Sequence, residues 1–170
     1  MKLAKYMGKN LIRFIYSLLI FNAWRILFLR LLGIRIGDNC FIARSVYFYT
    51  FRGLSIGDCV RIEWGCVLDS RGGLKIGDGA RISPMVTVLT QDHDINNNSF
   101  PLRDRAVTVN NEVVIFFGCV ILPGVVLGHG SIIAAGTVVH RSVGAWDVVG
   151  TNGQNVIGKR APLTDGKNGS

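Results

Sequence analysis

Proline and charge are both scarce in this chain of 170 residues, which has 4 prolines and 18% charged positions. Disorder requires high charge with low hydrophobicity, so most of the chain is expected to fold. The scarcity of proline and the lack of a three-residue glycine period exclude a collagen-like structure. A P-loop, a dinucleotide-binding fingerprint and a Gly-x-Ser-x-Gly elbow are also absent from the sequence. Nucleotide hydrolysis, hydride transfer and serine hydrolysis therefore have no support.

Acidic residues are missing from the first 35 positions, which carry seven basic side chains, whereas the other 135 positions carry 12 basic and 11 acidic ones. The formal net charge of +8 therefore belongs almost wholly to the N-terminal segment. A nucleic-acid-binding protein is expected to carry a basic patch on its folded body. Because the body of this chain is nearly neutral, we expect no nucleic-acid partner.

The N-terminal segment, residues 1–33, is hydrophobic as well as basic, and residues 11–32 read LIRFIYSLLIFNAWRILFLRLL. Its longest uncharged run has 11 residues, whereas a membrane-spanning helix needs roughly 20. Strong helix formers and the lack of proline predict one helix. This helix either packs against its own domain or a neighbouring subunit, or lies in the membrane interface with arginine and lysine at anionic headgroups. We expect the membrane interface.

A six-residue period governs most of the remaining chain. The triplet Ile-Gly-Asp occurs at 36–38, 56–58 and 76–78, and large apolar residues recur at every sixth position between these triplets. The period fits neither a helix nor a long strand, and it predicts a parallel β-helix whose coils are triangles of short strands. It covers residues 36–92 and 113–144. Asp94 to Ala106 interrupt it, which predicts a loop extruded from the prism.

The four cysteines form no CxxC pair and no zinc-finger spacing. Three of them, Cys40, Cys66 and Cys119, occupy the small position that follows a large apolar residue by four. We therefore interpret them as core residues of the prism, and we expect no metal.

The repeated [Ile/Leu/Val]-Gly-x-x-small-x pattern and the stretch ILPGVVLGHGSIIAAGTVVHRSV at 121–143 resemble the hexapeptide-repeat acyltransferases. With its basic, hydrophobic N-terminus, the chain is similar to the sugar O-acetyltransferases of capsule, lipopolysaccharide and exopolysaccharide synthesis. The resemblance implies an all-β fold, a left-handed parallel β-helix at 34–158 with an extruded loop at 94–106. An N-terminal helix at 1–33 and a tail at 159–170 complete the expected organisation. The family implies a homotrimer with active sites between neighbouring prisms.

Acetyl transfer to a sugar hydroxyl needs a base that accepts the hydroxyl proton, and a neutral histidine suits that role near pH 7. His93 lies at the mouth of the extruded loop, where the resemblance places the catalytic histidine of the family. Asp69, about one coil upstream, is expected to orient His93 or to bind the acceptor sugar. Glu63, Asp92 and Asp94 are further candidates for acceptor binding, with a solvated coil edge as the alternative role for Asp69 and Glu63.

The resemblance also implies acetyl-CoA as the co-substrate. It assigns the oxyanion donor to the amide of Phe117, the path of the pantetheine arm to Ala135 and Gly136, and contacts with the CoA phosphates to Lys159 and Arg160. The chain departs from its relatives at 114–117, where Val-Ile-Phe-Phe replaces Trp-Ile-Gly-Ala, and at 151–155, which lacks the proline and lysine of Gly-x-Pro-Ala-Lys. These changes either reshape the cofactor path or weaken cofactor binding.

The sequence thus predicts an acetyl-CoA-dependent O-acetyltransferase that acts on a sugar or lipid-linked glycan at the cytoplasmic face of the inner membrane. A non-catalytic scaffold or partner subunit in a polysaccharide-synthesis complex is the alternative. Zinc carbonic anhydrases share the prism and bind zinc through three histidines. His93 and His129 have a suggestive spacing, but the third position of that pattern is Ala134.

Overall fold

The computed structural model describes residues 2–150 and 155–161, with side chains from Asn10 onward. The chain begins with two helices, α1 (Lys2–Leu18) and α2 (Asn22–Leu31), where the sequence predicts one. The break follows from packing, because Arg25 of α2 donates hydrogen bonds to the carbonyls of Leu19 and Ile20 between the helices. No helix in the described part of the chain has the length and apolarity needed to cross a bilayer.

Three parallel sheets form the sides of a triangular prism, and the chain visits them in turn in each coil. Sheet 1 contains β1 (Arg35–Ile36), β4 (Leu54–Ile56), β7 (Leu74–Ile76), β12 (Val107–Val109) and β15 (Val126–Leu127). Sheet 2 contains β2 (Phe41–Ile42), β5 (Arg61–Ile62), β8 (Arg81–Ile82), β13 (Val114–Ile115), β16 (Ile132–Ile133), β18 (Asp147–Val149) and the antiparallel β19 (Val156–Lys159). Sheet 3 contains β3 (Tyr47–Phe48), β6 (Val67–Leu68), β9 (Thr87–Val88), β14 (Val120–Ile121) and β17 (Val138–Val139).

The predicted parallel β-helix is confirmed by this topology. We call the turn from sheet 1 to sheet 2 the first corner, the turn from sheet 2 to sheet 3 the second corner, and the turn from sheet 3 to sheet 1 the third corner. The coils stack in register, as in the pairing of Arg61 with Arg81 and of Ile62 with Ile82. Backbone hydrogen bonds join successive coils in both directions, as from the Phe41 amide to the Val60 carbonyl and from the Cys59 amide to the Asp38 carbonyl.

The interior of the prism is filled by one large apolar side chain from each strand and one small residue from each corner. The small positions that the period identifies are all at most 6% exposed, namely Cys40, Val46, Val60, Cys66, Ala80, Val86, Cys119, Val125, Ser131, Thr137 and Val143. The core role predicted for three cysteines is thereby confirmed. Burial raises the pKa of the Cys66 thiol to about 11, which keeps it protonated near neutral pH.

The segment that interrupts the period is a hairpin rather than an irregular loop. Strands β10 (Gln91–His93) and β11 (Leu102–Asp104) pair antiparallel and leave the prism at the third corner. The prism resumes with β12 at Val107, six residues before the period reappears in the sequence. The triplet at 109–111 reads Val-Asn-Asn instead of Ile-Gly-Asp, yet Asn111 Oδ1 accepts the amide of Asp78, as Asp78 Oδ1 accepts that of Asp58.

The end of the chain departs from the expected tail. Strand β19 pairs antiparallel with β18, so Lys159 belongs to sheet 2 rather than to a tail that begins there. The sequence departures at 151–154 and the predicted tail from 162 onward lie outside the described residues.

Candidate active site

His93 ends strand β10 and is exposed on the hairpin at the third corner. Its Nδ1 lies 2.6 Å from the carbonyl oxygen of Phe100 across the hairpin. A carbonyl can only accept a hydrogen bond, so Nδ1 carries a proton, and in the neutral imidazole Nε2 then keeps its lone pair. This tautomer gives His93 a free basic nitrogen.

Phe100 holds its carbonyl in place at a conformational cost. Its φ is 45°, a left-handed backbone that is uncommon for an aromatic residue and costs on the order of 1–3 kcal/mol. The loop compensates with two backbone hydrogen bonds, from Phe100 to Asn97 and from Asp94 to Pro101, at 2.8 and 2.9 Å. Backbone strain therefore occurs at the residue that fixes the ring of His93.

Asp92 and Asp94, which flank His93, both lie against the guanidinium of Arg103. Arg103 donates two hydrogen bonds to Asp92, at 2.9 and 3.1 Å, and its Nη1 lies 3.5 Å from Asp94. Arg105 Nη1 is 3.8 Å from Asp92. Hydrogen bonding from Arg103 lowers the pKa of Asp92. The two carboxylates that we expected at the acceptor are thus paired with a cation of the hairpin itself.

Asp69, which we expected to orient His93 or to bind the acceptor sugar, is engaged by other residues. Its side chain is fully buried and accepts hydrogen bonds from Arg71 Nε, Arg71 Nη2 and the amides of Arg71 and Thr90. Burial alone raises the pKa of this carboxyl, but the hydrogen bonds from Arg71 and Thr90 outweigh burial, and the pKa is lowered. The group that orients His93 is therefore the Phe100 carbonyl, and Asp69 fixes the corner from which the hairpin leaves.

The residues expected at the thioester lie at the second corner. The amide of Phe117 has no hydrogen-bond acceptor within the described residues, and the Phe117 carbonyl accepts the amide of Gly136, beside Ala135. The Phe117 ring is 51% exposed and contacts Trp64 edge to face. This corner therefore offers a free N–H donor flanked by aromatic surface.

Glu63 belongs to the second corner as well, whereas His93 belongs to the third. Glu63 Oε1 accepts a hydrogen bond of 2.7 Å from Arg61 Nε on sheet 2. Sheet 3 lies between the two corners, so one chain does not bring His93 together with Phe117 or Glu63. The residues predicted to form one active site are thus divided between two edges of the prism.

Lys159 and Arg160, the residues expected at the CoA phosphates, have partners within the chain. Lys159 forms an ion pair with Asp147. Arg160 Nη1 donates to the carbonyls of Glu112 and Gly130 at 2.7 and 3.2 Å. Lys159 remains 70% exposed, and Arg160 has no acidic partner among the described residues.

Among the described residues, no group of three or more His, Cys, Asp and Glu side chains has the arrangement of a metal site. His129, the second histidine of the carbonic anhydrase pattern, lies at the first corner. Its Nε2 is 3.7 Å from Glu112, and its ring packs edge to face on Trp146.

Comparison with known proteins identifies the repeat. The family model described as the hexapeptide repeat of succinyl-transferase matches residues 33–70 and 117–141. These two stretches of the chain are similar to the hexapeptide repeat of that family. A curated relative of the chain, the putative acetyltransferase YvoF of Bacillus subtilis (strain 168), is 35% identical over 71 residues. That match spans 42% of this chain and 39% of the relative.

Solved structures share the fold of this chain, the left-handed parallel β-helix. The hexapeptide-repeat acetyltransferase VCA0836 of Vibrio cholerae O1 biovar eltor, in complex with acetyl-CoA, superposes with a TM-score of 0.83 at 21% identity. That comparison covers 90% of this chain and 85% of the other. A galactoside acetyltransferase in complex with coenzyme A also gives a TM-score of 0.83 at 21% identity, over 96% of this chain and 88% of the other.

Proposed function

We propose that this hexapeptide-repeat protein is an acetyl-CoA-dependent O-acetyltransferase. Its acceptor is a hydroxyl group of a sugar or lipid-linked glycan in surface polysaccharide biosynthesis. The observation that carries the proposal is His93, whose Nδ1 is engaged by the Phe100 carbonyl at 2.6 Å and whose Nε2 is thereby available as a base. Acetyl-CoA in the VCA0836 complex and the galactoside acceptor of the other structural neighbour support the choice of both substrates.

In the proposed reaction, His93 Nε2 accepts the proton of the acceptor hydroxyl while its oxygen attacks the thioester carbonyl of acetyl-CoA. The tetrahedral oxyanion receives a hydrogen bond from the amide of Phe117. Collapse of this intermediate breaks the carbon–sulfur bond and leaves the acetyl ester on the sugar. The CoA thiolate then takes the proton from the imidazolium, which returns His93 to its neutral form.

This chemistry requires two copies of the chain, because His93 and Phe117 lie on opposite sides of sheet 3. The outward-facing residues of the sheet 3 strands are all uncharged, namely Tyr47, Val67, Thr87, Val120 and Val138, and the guanidinium of Arg13 from α1 lies over the Tyr47 ring at 4.5 Å. The outer faces of the other two sheets carry Arg35 and Lys75, or Arg61 and Arg81. We infer that sheet 3 faces the axis of a homotrimer, in which the third corner of one prism meets the second corner of the next. A sedimentation mass of a single chain would contradict this assembly.

We also infer that the trimer associates with the inner face of the cytoplasmic membrane. The outward surface of α1 and α2 is apolar, with residues that are 57–77% exposed at Leu11, Phe14, Leu18, Ile20, Phe21, Trp24, Leu27 and Leu31. A contiguous apolar surface of this kind is typical of an interaction site. An interfacial position would bring the enzyme to a lipid-linked acceptor.

The catalytic proposal is tested by His93→Asn, with His129→Asn as the matched control because His129 lies at the first corner. Thiol release from acetyl-CoA is followed with a panel of monosaccharide and oligosaccharide acceptors. We expect His93→Asn to lose on the order of 10²–10⁴ in kcat/KM with acetyl-CoA affinity retained, and the control to keep its activity. Full activity of His93→Asn would exclude its role as the base. If the unaltered chain neither binds acetyl-CoA nor transfers its acetyl group, the scaffold alternative is favoured.

A further inference from the structure

A groove of about 640 Å³ runs across the outer face of sheet 2, away from the hairpin that carries His93. Its base is apolar, formed by Ile82 and Val114, and the half-exposed ring of Phe116 forms one wall. A smaller cavity of about 150 Å³ adjoins it and shares Arg61 and Arg81. The groove therefore continues along two stacked arginines.

These two arginines differ in how their charge is compensated. Arg61 donates a hydrogen bond of 2.7 Å to Glu63 and lies over the ring of Phe41, 4.7 Å from its centroid. Arg81 is in register with Arg61 on the next coil, about 4.8 Å away along the sheet. It has no hydrogen-bond or ion-pair partner in the described part of the chain. Arg81 therefore contributes an uncompensated positive charge to the groove. This charge also repels that of Arg61, because the two arginines are neighbours on adjacent strands.

The far end of the groove adds a second cation that has no carboxylate partner among the described residues. Arg160 is held there by the carbonyls of Glu112 and Gly130, which accept hydrogen bonds from its Nη1 but do not neutralise its charge. The carboxylate of Glu112 lies 3.7 Å from His129. Three guanidinium groups thus line the groove with two carboxylates, and one of these carboxylates is already paired with Arg61.

We propose that this groove binds the phosphate-bearing part of a substrate, with Arg81 as its principal contact. Guanidinium groups bind phosphate oxygens in a bidentate manner, and two stacked arginines suit a group with several anionic oxygens. The Phe116 ring supplies a surface for the apolar or planar portion of the same ligand. Phe116 adjoins Phe117, so a ligand held in the groove leads towards the amide that we assign to the oxyanion. This inference rests on the proposed transferase function.

The phosphate can belong to either of two substrates, a phosphorylated acceptor such as a sugar phosphate or the CoA moiety itself. Calorimetric titrations of the full chain with inorganic pyrophosphate, acetyl-CoA and acetyl-pantetheine distinguish them. The variant is Arg81→Gln, and the control is Arg35→Gln, which removes an outward-facing strand arginine from sheet 1. We expect Arg81→Gln to weaken pyrophosphate binding by about tenfold or more, and the control to change it less than about twofold.

The source of the phosphate follows from the other two ligands. If the groove serves the acceptor, acetyl-CoA affinity is unchanged in Arg81→Gln and pyrophosphate binds together with acetyl-CoA. If it serves CoA, the variant weakens acetyl-CoA but not acetyl-pantetheine, and pyrophosphate competes with acetyl-CoA. Pyrophosphate affinity that is equal in Arg81→Gln and in the unaltered chain would overturn the site.

The catalytic proposal is judged by a separate measurement, so the two failures are distinguishable. Loss of activity in His93→Asn with unchanged pyrophosphate affinity in Arg81→Gln would refute the groove alone. Full activity of His93→Asn with weakened pyrophosphate binding in Arg81→Gln would refute the base and keep the groove.

Discussion

The guanidinium of Arg103 lies between the two carboxylates that flank His93. Besides its contacts with Asp92 and Asp94, its Nη2 is 3.5 Å from the carbonyl of His93. Without Arg103, Asp92 would retain only Arg105, 3.8 Å away. Arg103 therefore acts as a positioning residue that keeps negative charge from accumulating next to the imidazole.

We predict that Arg103→Gln moves the acid limb of the profile of kcat/KM against pH to higher pH. Without Arg103, the two carboxylates are less well compensated and favour the protonated imidazolium, so more alkaline solution is needed to obtain the neutral base. A purely structural role would instead lower activity by the same factor at every pH. Arg103→Lys keeps the positive charge and is expected to restore most of the original profile. An unshifted profile in Arg103→Gln would contradict this role.

At this scale the sequence predicts the position of His93 but not its partners. His93 stands out because it ends a periodic segment, which places it at the exit of the hairpin. A spacing of about one coil brings Asp69 near the same corner, but it does not reveal that Arg71, two residues further on, occupies both carboxylate oxygens. The orienting group is the backbone carbonyl of Phe100, and any residue type carries a carbonyl. No side-chain pattern could have identified it.

At the scale of elements, the two N-terminal helices complete the hydrogen bonding of the prism. The first coil has a neighbouring coil on one side only, so those of its carbonyls that point away from the second coil have no coil to bind them. Side chains of α1 and α2 supply the donors at the carbonyls of Ile36, Gly37, Cys40, Ile42, Ala43, Phe48 and Tyr49. Arg13, Arg25 and Arg30 provide most of them. These arginines therefore bind the prism rather than the anionic headgroups expected from the sequence.

Arg25 is the most buried of these arginines, at 4% exposed. We predict that Arg25→Met lowers the free energy of unfolding by about 3 kcal/mol, because it leaves the buried carbonyl of Ile42 without a donor and also removes the part-buried hydrogen bonds to Leu19 and Ile20. Urea denaturation measures the loss. Arg30→Met is the matched control, since the Arg30 side chain is 42% exposed and water can replace its hydrogen bonds. Equal destabilisation by the two substitutions would contradict the capping role.

The strands were more predictable than the segments that join them to other elements. A triangular coil must place a large apolar side chain inside at every sixth residue, so the period identifies β1 to β9 and β13 to β17 directly. The sequence pattern does not identify strand β12, because its corner reads Val-Asn-Asn instead of Ile-Gly-Asp. Asn111 nevertheless accepts the same amide hydrogen bond as an aspartate. The sequence does not predict the break between α1 and α2, because the break depends on Arg25, whose partners in the first coil are distant in the sequence.

At the scale of the whole molecule, the helices separate charge from apolar surface. Arginines face the first coil, and the opposite surface of the helices carries large apolar side chains such as Phe14, Trp24 and Leu31. In the proposed trimer the prisms run parallel, so all three helix pairs lie at the same end. Three apolar surfaces could then enter one bilayer together, and their combined affinity would exceed that of a single surface.

We predict that the full chain floats with phospholipid vesicles and that the double variant Trp24→Ser/Leu27→Ser does not. Burial of these two apolar side chains in the membrane interface stabilises the bound state. Their loss is therefore expected to lower the membrane partition coefficient on the order of 100-fold per chain. The helices keep their contacts with the first coil in this variant, because Trp24 and Leu27 are 59% and 57% exposed. Val126→Ser, which removes an exposed apolar side chain from sheet 1, is the control and should float like the unaltered chain. Flotation of the double variant to the same extent would show that the surface serves another partner, and the inference of a membrane-bound enzyme would then be wrong.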